Sequence, residues 1–388
     1  MNPNDEFDPL GAALRKAGRD AAYPATPRLA SRARAQLENR PRLRLAPRFG
    51  LFAGLAGAAL VVLLALGLVL TSQQQNATAP PTPGKAYTAN LLGGDLSVVD
   101  LQRDELTGEI EVGNNPWGMA ASPNGEHVYV AVDGGISVVD TARGQRVNFV
   151  ETNPGYSRAK VAISADERML LVAGPNEQMR LIDIPTRGTL NEFNIGMVPY
   201  DIKLSPDGHW AYVLSETDGS VAVVDLRAGQ MVNRLTFSGD YRGYFMAQSP
   251  DGRYLYVPRL GKSEMWIIDT QTNQARGTLT EAKPYWRAFN GQGTERGLAI
   301  SRDGARLYVA TEDEFNGGVS VLDTQAFHEI ARVNMGGGFF GAALSRDGAQ
   351  LLLTVPDTHQ LTILDAGSLR LVTSIQVGQT PFRVVAAK

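Results

Sequence analysis

From Ala86 to the C-terminus one short pattern recurs at near-constant spacing: an apolar strand that ends in aspartate. It reads SVVD ending at Asp100, SVVD at Asp140, RLID at Asp183, AVVD at Asp225, WIID at Asp269, SVLD at Asp323 and TILD at Asp365. The spacings are 40, 43, 42, 44, 54 and 42 residues. A second pattern, Ser-x-x-Gly, interleaves with the first at Ser122-Pro-Asn-Gly125, Ser205-Pro-Asp-Gly208, Ser249-Pro-Asp-Gly252, Ser301-Arg-Asp-Gly304 and Ser345-Arg-Asp-Gly348, with a degenerate copy at Ser164-Ala-Asp-Glu167. Each unit holds four short apolar runs separated by turns, as in GMAA, SPNG, EHVYVAV, DGG, ISVVD, TARGQ, RVNFV of the second copy. Pro presets φ in such turns and Gly tolerates positive φ, so these are tight hairpins. One four-stranded sheet of this size cannot bury a core alone, and a fixed period of this length implies stacking of like units.

Four strands in about 42 residues is the signature of a propeller blade. The count is informative at its ends. Seven aspartate strands accompany six serine turns, so the first copy, over 86–112, lacks an innermost strand. The C-terminus carries a spare one: Pro381-Phe-Arg-Val-Val-Ala-Ala387 aligns with Pro116-Trp-Gly-Met-Ala-Ala121 and Pro199-Tyr-Asp-Ile-Lys-Leu204. The expected fold class is all-β, a seven-bladed β-propeller over 86–388 in which the C-terminal strand pairs with the first blade and leaves no free edge. The 41 Gly and 21 Pro suit a fold made of turns. With no cysteine, disulfides, thiolate metal sites and cysteine nucleophiles are excluded.

The runs AYTAN, HVYVAV, AYVLSE and RLYVAT, each followed by a Val-Val-Asp-type strand and a P…SPDG turn, resemble the bacterial YVTN-type propeller repeats. The resemblance covers residues 86–388 and implies the fold. For activity it implies several classes, since relatives of this repeat type include surface-layer proteins, sugar-lactone hydrolases and electron-transfer enzymes with haem or quinone partners. No Cys-x-x-Cys-His is present to attach haem covalently, and the sequence implies no cofactor.

The first 85 residues differ in kind. Residues 1–48 carry ten Lys and Arg against five Asp and Glu, whereas residues 49–84 carry no charge. To reach the overall charge of −3 the remainder must be at −8, and this acidic field argues against nucleic acid as a partner. Phe49 to Leu70 is a continuous apolar run of 22 residues. As a helix it spans about 33 Å, enough for a hydrocarbon core of about 30 Å. The run is too long, and too far from the N-terminus, for the usual secretory signal, although Asn76-Ala77-Thr78-Ala79 leaves cleavage as an alternative. Arg40, Arg42, Arg44 and Arg48 precede it closely and the first basic residue after it is Lys85. The positive-inside rule therefore predicts a single transmembrane helix over 49–70, a cytoplasmic tail over 1–48 and an extracytoplasmic propeller, periplasmic or at the cell surface. Residues 71–85, polar and Pro-rich, are expected to be an extended linker. Within the tail, Thr26-Pro27 reads as the start of a short helix. Through Ala22-Tyr-Pro-Ala-Thr-Pro-Arg-Leu-Ala30 and that helix, the tail faintly resembles juxtamembrane tails of bacterial anti-sigma-like membrane proteins, without the zinc-binding His and Cys residues of one branch.

The candidate site lies where inner strands begin, around the axis. The residue five before each serine turn is Trp117, Ala159, Tyr200, Tyr244, Arg296 or Phe340, and the closing strand has Phe382. Five of these seven are aromatic in a chain with 7% aromatics. Lys160, Asp201 and Arg383 follow, and Arg158 and Arg242 lie in neighbouring loops. Such a ring suits stacking or charge pairing with a planar or anionic ligand, a glycan, a cell-wall fragment or a protein segment. The alternative is that the rings wedge between blades as core. The long spacing of 54 places an insertion at Glu281–Thr294, whose Tyr285, Trp286 and Phe289 are awkward in a solvated loop. Glu312-Asp313-Glu314 lacks the alternating ligands of a calcium loop, and His127, His209, His328 and His359 lie in four different repeats, so no metal site is expected. Three functions remain open: a binding, sensor or scaffold module at the loop-rich face; a lactonase-like hydrolase using Glu295, Arg296, Arg383 and Asp201 at the axial mouth; and a transmembrane signalling or anti-sigma-like regulator.

Overall fold

The computed structural model describes residues 82–152, 158–236, 245–259, 264–278, 294–313, 317–326 and 328–388. The tail, the apolar run and most of the linker lie outside them. Among the described residues no helix is long and apolar enough to cross a membrane. The described elements are strands, arranged in seven antiparallel sheets, six of which are built on a sequential four-stranded meander. The sixth sheet adds a short strand, Gly337–Gly338, beside Arg306–Asp313.

The first blade departs from chain order as the sequence predicts. Pro381–Ala387 lies innermost, followed by Lys85–Asn90, Asp95–Asp100 and Glu105–Glu111. Lys85 pairs with Ala387 and Thr88 with Val384, so the last strand closes the ring on the first. The chain joins the propeller just before this blade, where the Pro83 carbonyl accepts the Arg346 N–H at 3.0 Å and the Gly84 carbonyl that of Leu101 at 3.2 Å.

The two middle strands of a blade are buried on both faces, so they read as continuous apolar runs instead of alternating ones. His127–Val132 and Gly135–Asp140 are buried almost throughout, while the outer strand Gln145–Glu151 is largely exposed. The core is divided among the interfaces between blades. One cluster joins Leu171 and Met179 of the third blade to Ile202 and Val213 of the fourth, and six others straddle the remaining neighbours in the same way.

Two repeated residues explain the turns. The serine of each Ser-x-x-Gly turn accepts the N–H five residues on, as Ser205 Oγ does from Trp210 at 2.9 Å, while Asp207 accepts from His209 at 3.0 Å. The aspartate ending each third strand caps the next turn, with Asp100 accepting from Gln102 and Arg103 at 2.9 and 3.1 Å. Hydrogen bonds from these amides, with a share from nearby cations, hold Asp140, Asp225 and Asp323 below the ordinary carboxylate value. A third residue joins blades. Tyr212 Oη donates to Asn273 Oδ1 at 3.2 Å and Tyr308 Oη to the Ala366 carbonyl at 2.9 Å, each reaching the lower turn of the next blade. Burial pushes the Tyr87 and Tyr212 hydroxyls up to about 12, which keeps them protonated as donors.

A meander of this kind has two faces. The serine and aspartate turns lie on the lower face, together with the entry at Pro83 and Gly84. The loops between second and third strands, and those between blades, lie on the upper face.

Candidate functional site: the axial channel

Inner strands start at the upper face, and their first residues carry an irregularity that the sequence does not announce. Tyr200 is skipped in the pairing between Pro199–Leu204 and its neighbour, Phe382 is skipped in the closing strand, and Arg296 is skipped in Thr294–Ile300. Trp117 and Gly118 both bond to Ala131, and Phe340 and Gly341 both bond to Thr354. Five blades thus carry a β-bulge at the same level, and a bulge re-aims the side chain it carries. Three of the bulges are completed by glycines, Gly118, Gly297 and Gly341, that the next inner strand approaches closely. A Cβ at Gly118 would collide with the Ala159 carbonyl, and one at Gly341 would sit 3.0 Å from that of Phe382.

The re-aimed rings meet one another around the axis. Trp117 lies 4.4 Å from Phe382, Phe382 lies 3.8 Å from Phe340, Phe340 lies 5.7 Å from Phe245, and Phe245 lies 6.1 Å from Tyr200. Lys160 closes the circuit, its Nζ 5.1 Å from the Tyr200 ring centre and 4.9 Å from that of Trp117. Six blades contribute to this circuit. Trp117, Tyr200, Phe245 and Phe340 are 9%, 6%, 7% and 5% exposed, so the rings plug the channel and leave little open surface for stacking. Phe382 is half-buried.

Phe245 was not among the sequence candidates, which placed the fifth blade's contribution at Tyr244, one residue earlier. Tyr244 and Arg242 lie outside the described residues, as do Tyr285, Trp286 and Phe289 of the insertion. Arg296 and Glu295 are described by their strand alone.

Charge is built into the same level. Arg383 reaches from the first blade across the axis: its guanidinium lies 4.6 Å from the Phe245 ring centre and its Nη1 lies 3.7 Å from Asp201 Oδ1. The other oxygen of Asp201 accepts from Lys203 Nζ at 3.0 Å and from the Met246 amide at 2.8 Å. Burial pushes the Asp201 carboxyl up, but Lys203, Arg383 and that amide outweigh it and hold the group below its ordinary value. Lys160 is buried and donates to the Arg158 carbonyl at 3.1 Å. Desolvation, reinforced by repulsion from Arg383 and Arg158 and opposed by Glu216 and Asp201, brings its ammonium down to about 7. Arg158 is exposed, has a left-handed backbone at φ 59°, and lays its guanidinium 4.2 Å from the Trp117 ring centre.

Beneath the plug the channel widens to a cavity of about 420 Å³. Met119, Lys203, Phe245, Met246, Arg302 and Arg383 contribute to its wall, and among the described residues none that lines it is acidic. Among the described residues no group of three or more His, Asp or Glu is placed to hold a metal ion.

No protein-family model matches the chain, and no curated protein matches it. Solved structures do. The chain is similar to Kuenenia stuttgartiensis hydrazine synthase at 20% identity and a TM-score of 0.64, over 73% of this chain and 93% of that one. It is similar to the Cps50 (Swd1) β-propeller domain of Myceliophteria thermophila at 12% identity and a TM-score of 0.60, over 73% and 94%. A functionally unknown protein from Desulfotomaculum acetoxidans gives 15% identity and a TM-score of 0.65, over 78% and 99%. At these identities the likeness concerns the β-propeller fold alone.

Proposed function

We propose that the chain is a membrane-anchored binding module: residues 49–70 tether it, the propeller stands outside the cytoplasm, and its upper face engages a protein or glycan ligand with exposed anionic groups. The observation that carries this reading is Arg158. An exposed guanidinium held in a left-handed backbone and backed by Trp117 is a rigid, solvent-facing cation at the mouth of a closed channel. The tether enters on the opposite face, at Pro83 and Gly84, which supports leaving the upper face to a ligand. Asp201, one of the two acids of the hydrolase alternative beside Glu295, already accepts from Lys203 and Met246 beside Arg383, which favours binding over general-base chemistry at that residue.

The test uses full-length protein in lipid nanodiscs on arrays of acidic oligosaccharides and acidic peptides. Saturable binding that falls about tenfold in Arg158→Ala is expected, the loss of one charge-assisted contact. Equal binding by the variant contradicts the reading. Tags at the two ends test the orientation: in right-side-out vesicles the tag after Lys388 should be accessible and the one before Met1 protected.

A further inference from the structure

Tyrosines join neighbouring blades, and at one joint the tyrosine finds nothing to bond. Tyr87 Oη reaches the Thr141 carbonyl at 3.5 Å, Tyr212 Oη reaches Asn273 and Tyr308 Oη the Ala366 carbonyl, each on the turn after the next blade's third strand. Tyr129 holds the same place in the second blade, where the matching acceptor is the carbonyl of Ile184. Its hydroxyl bonds to none of the described residues. Nor is that hydroxyl walled off, for Tyr129 lines a cleft of about 290 Å³ between the second and third blades. Burial, with the charge of Glu167, pushes the Tyr129 hydroxyl up, which keeps it protonated as a donor.

The walls of the cleft are mostly apolar: Val138 and Val150 from one blade face Leu170 and Ile182 from the other. Arg187, His127 and Asn148 also line it, and each keeps unused hydrogen-bonding capacity. Among the described residues the Arg187 guanidinium has no ion pair and the His127 ring no hydrogen bond, while Asn148 spends only its Oδ1, on the Phe149 amide at 2.8 Å. Arg187 is held in place by its turn. Its backbone is left-handed at φ 61°, and its N–H donates to the Asp183 carbonyl at 2.7 Å. No described residue lining the cleft is acidic, and the carboxylates close by are engaged, Glu167 with Asn124 and Asp183 with Thr186. Apolar walls with a few unspent polar groups and one fixed cation are the usual form of a small-molecule site.

We infer that the cleft between the second and third blades binds a small aromatic carboxylic acid, with the carboxylate on Arg187, the Tyr129 hydroxyl as a further donor and the ring between the apolar walls. Two sheets packed face to face leave a flat slot, which suits a ring better than a branched chain. The lining residues include the lower turn from Ile184 to Arg187, so the site is separate from Arg158 at the upper mouth and does not depend on the ligand proposed there.

Fluorine NMR of 4-fluorobenzoate tests this on the full-length protein in lipid nanodiscs, with empty nanodiscs as the blank and 4-fluorobenzyl alcohol as the uncharged analogue. Saturable line broadening that benzoate competes away is expected for the acid, with the alcohol about tenfold weaker. Arg187→Gln should bring the acid down to the level of the alcohol. Tyr129→Phe separates a ligand contact from a structural one. Having no protein partner to lose, it should leave the melting temperature unchanged, unlike Tyr308→Phe, yet weaken the acid several-fold. Melting curves establish that each variant is folded, and Arg158→Ala should bind the acid as the native chain does. No saturable binding of the acid, equal affinity for acid and alcohol, or unchanged affinity in Arg187→Gln overturns the assignment. So does binding lost in a folded Arg158→Ala, or a Tyr129→Phe that melts lower and binds normally, which would make the hydroxyl a joint between blades.

Discussion

The blade bodies and the axis obey opposite rules. In the bodies the same residue does the same work from copy to copy: Asp100, Asp140, Asp225 and Asp323 cap equivalent turns, and Tyr212 and Tyr308 join successive blades with equivalent hydrogen bonds. At the axis the equivalent positions hold Gly118, Lys160, Asp201, Phe245, Gly297, Gly341 and Arg383. The reason is geometric. A residue in a body meets the neighbouring blade, so repetition is stable there. Residues at the axis meet their own copies, and seven like charges around one channel would repel strongly. The repeat must break at the axis, and that is where mixed charges, bulges and a cavity are found.

One truncation and four substitutions sharpen this contrast, in descending order of effect. Truncation before Pro381 removes the strand that pairs with Lys85–Asn90 and opens the ring. Loss of the cooperative thermal transition is expected by circular dichroism; a transition that survives with only a small shift would mean that the bodies are stable without closure.

Lys160→Met comes next and has the opposite sign. With a folded value of about 7 against an ordinary 10.5, the unfolded chain binds a proton between those values that the folded chain does not. Stability conferred by the neutral amine is therefore complete only above 10.5 and is lost as pH falls through about 7. Replacing the buried ammonium should stabilise the protein by a few kcal/mol near pH 6, less the lost ring contacts, and flatten this part of the pH dependence. Melting curves from pH 6 to 9 check it; an unchanged slope contradicts it.

Tyr308→Phe, a body substitution, should cost about 1 kcal/mol in denaturant titration for one lost hydrogen bond, and Tyr212→Phe no more than that. A cost near zero at both would remove the tyrosines as joints between blades. Arg158→Ala should leave stability within about 0.5 kcal/mol, since the side chain is exposed, while weakening ligand binding. A large stability loss would make Arg158 part of the scaffold.

The same contrast explains what the sequence disclosed. The seven units, the closing role of Pro381–Ala387 and the turn-capping aspartates were legible because repetition amplifies each signal. The bulges were not, since one extra residue in a pairing has no composition of its own, and so the fifth blade's ring was expected at Tyr244 whereas Phe245 makes the described contacts. Asp201 and Arg383 were both visible as candidates, but 182 residues separate them and only ring closure brings them to 3.7 Å. The burial of Trp117, Tyr200 and Phe340 against other rings, instead of open to solvent, also required the assembled ring.

The claim that the mouth of the axis is the part of this propeller reserved for its protein or glycan ligand is tested most directly by a crystal structure of the full chain grown with the acidic oligosaccharide or peptide that binds most tightly. The expected result is ligand density at the upper mouth, with an anionic group on the guanidinium of Arg158 where it lies against Trp117. Ligand density on the outer strands or the lower turns, with the mouth empty, would contradict it.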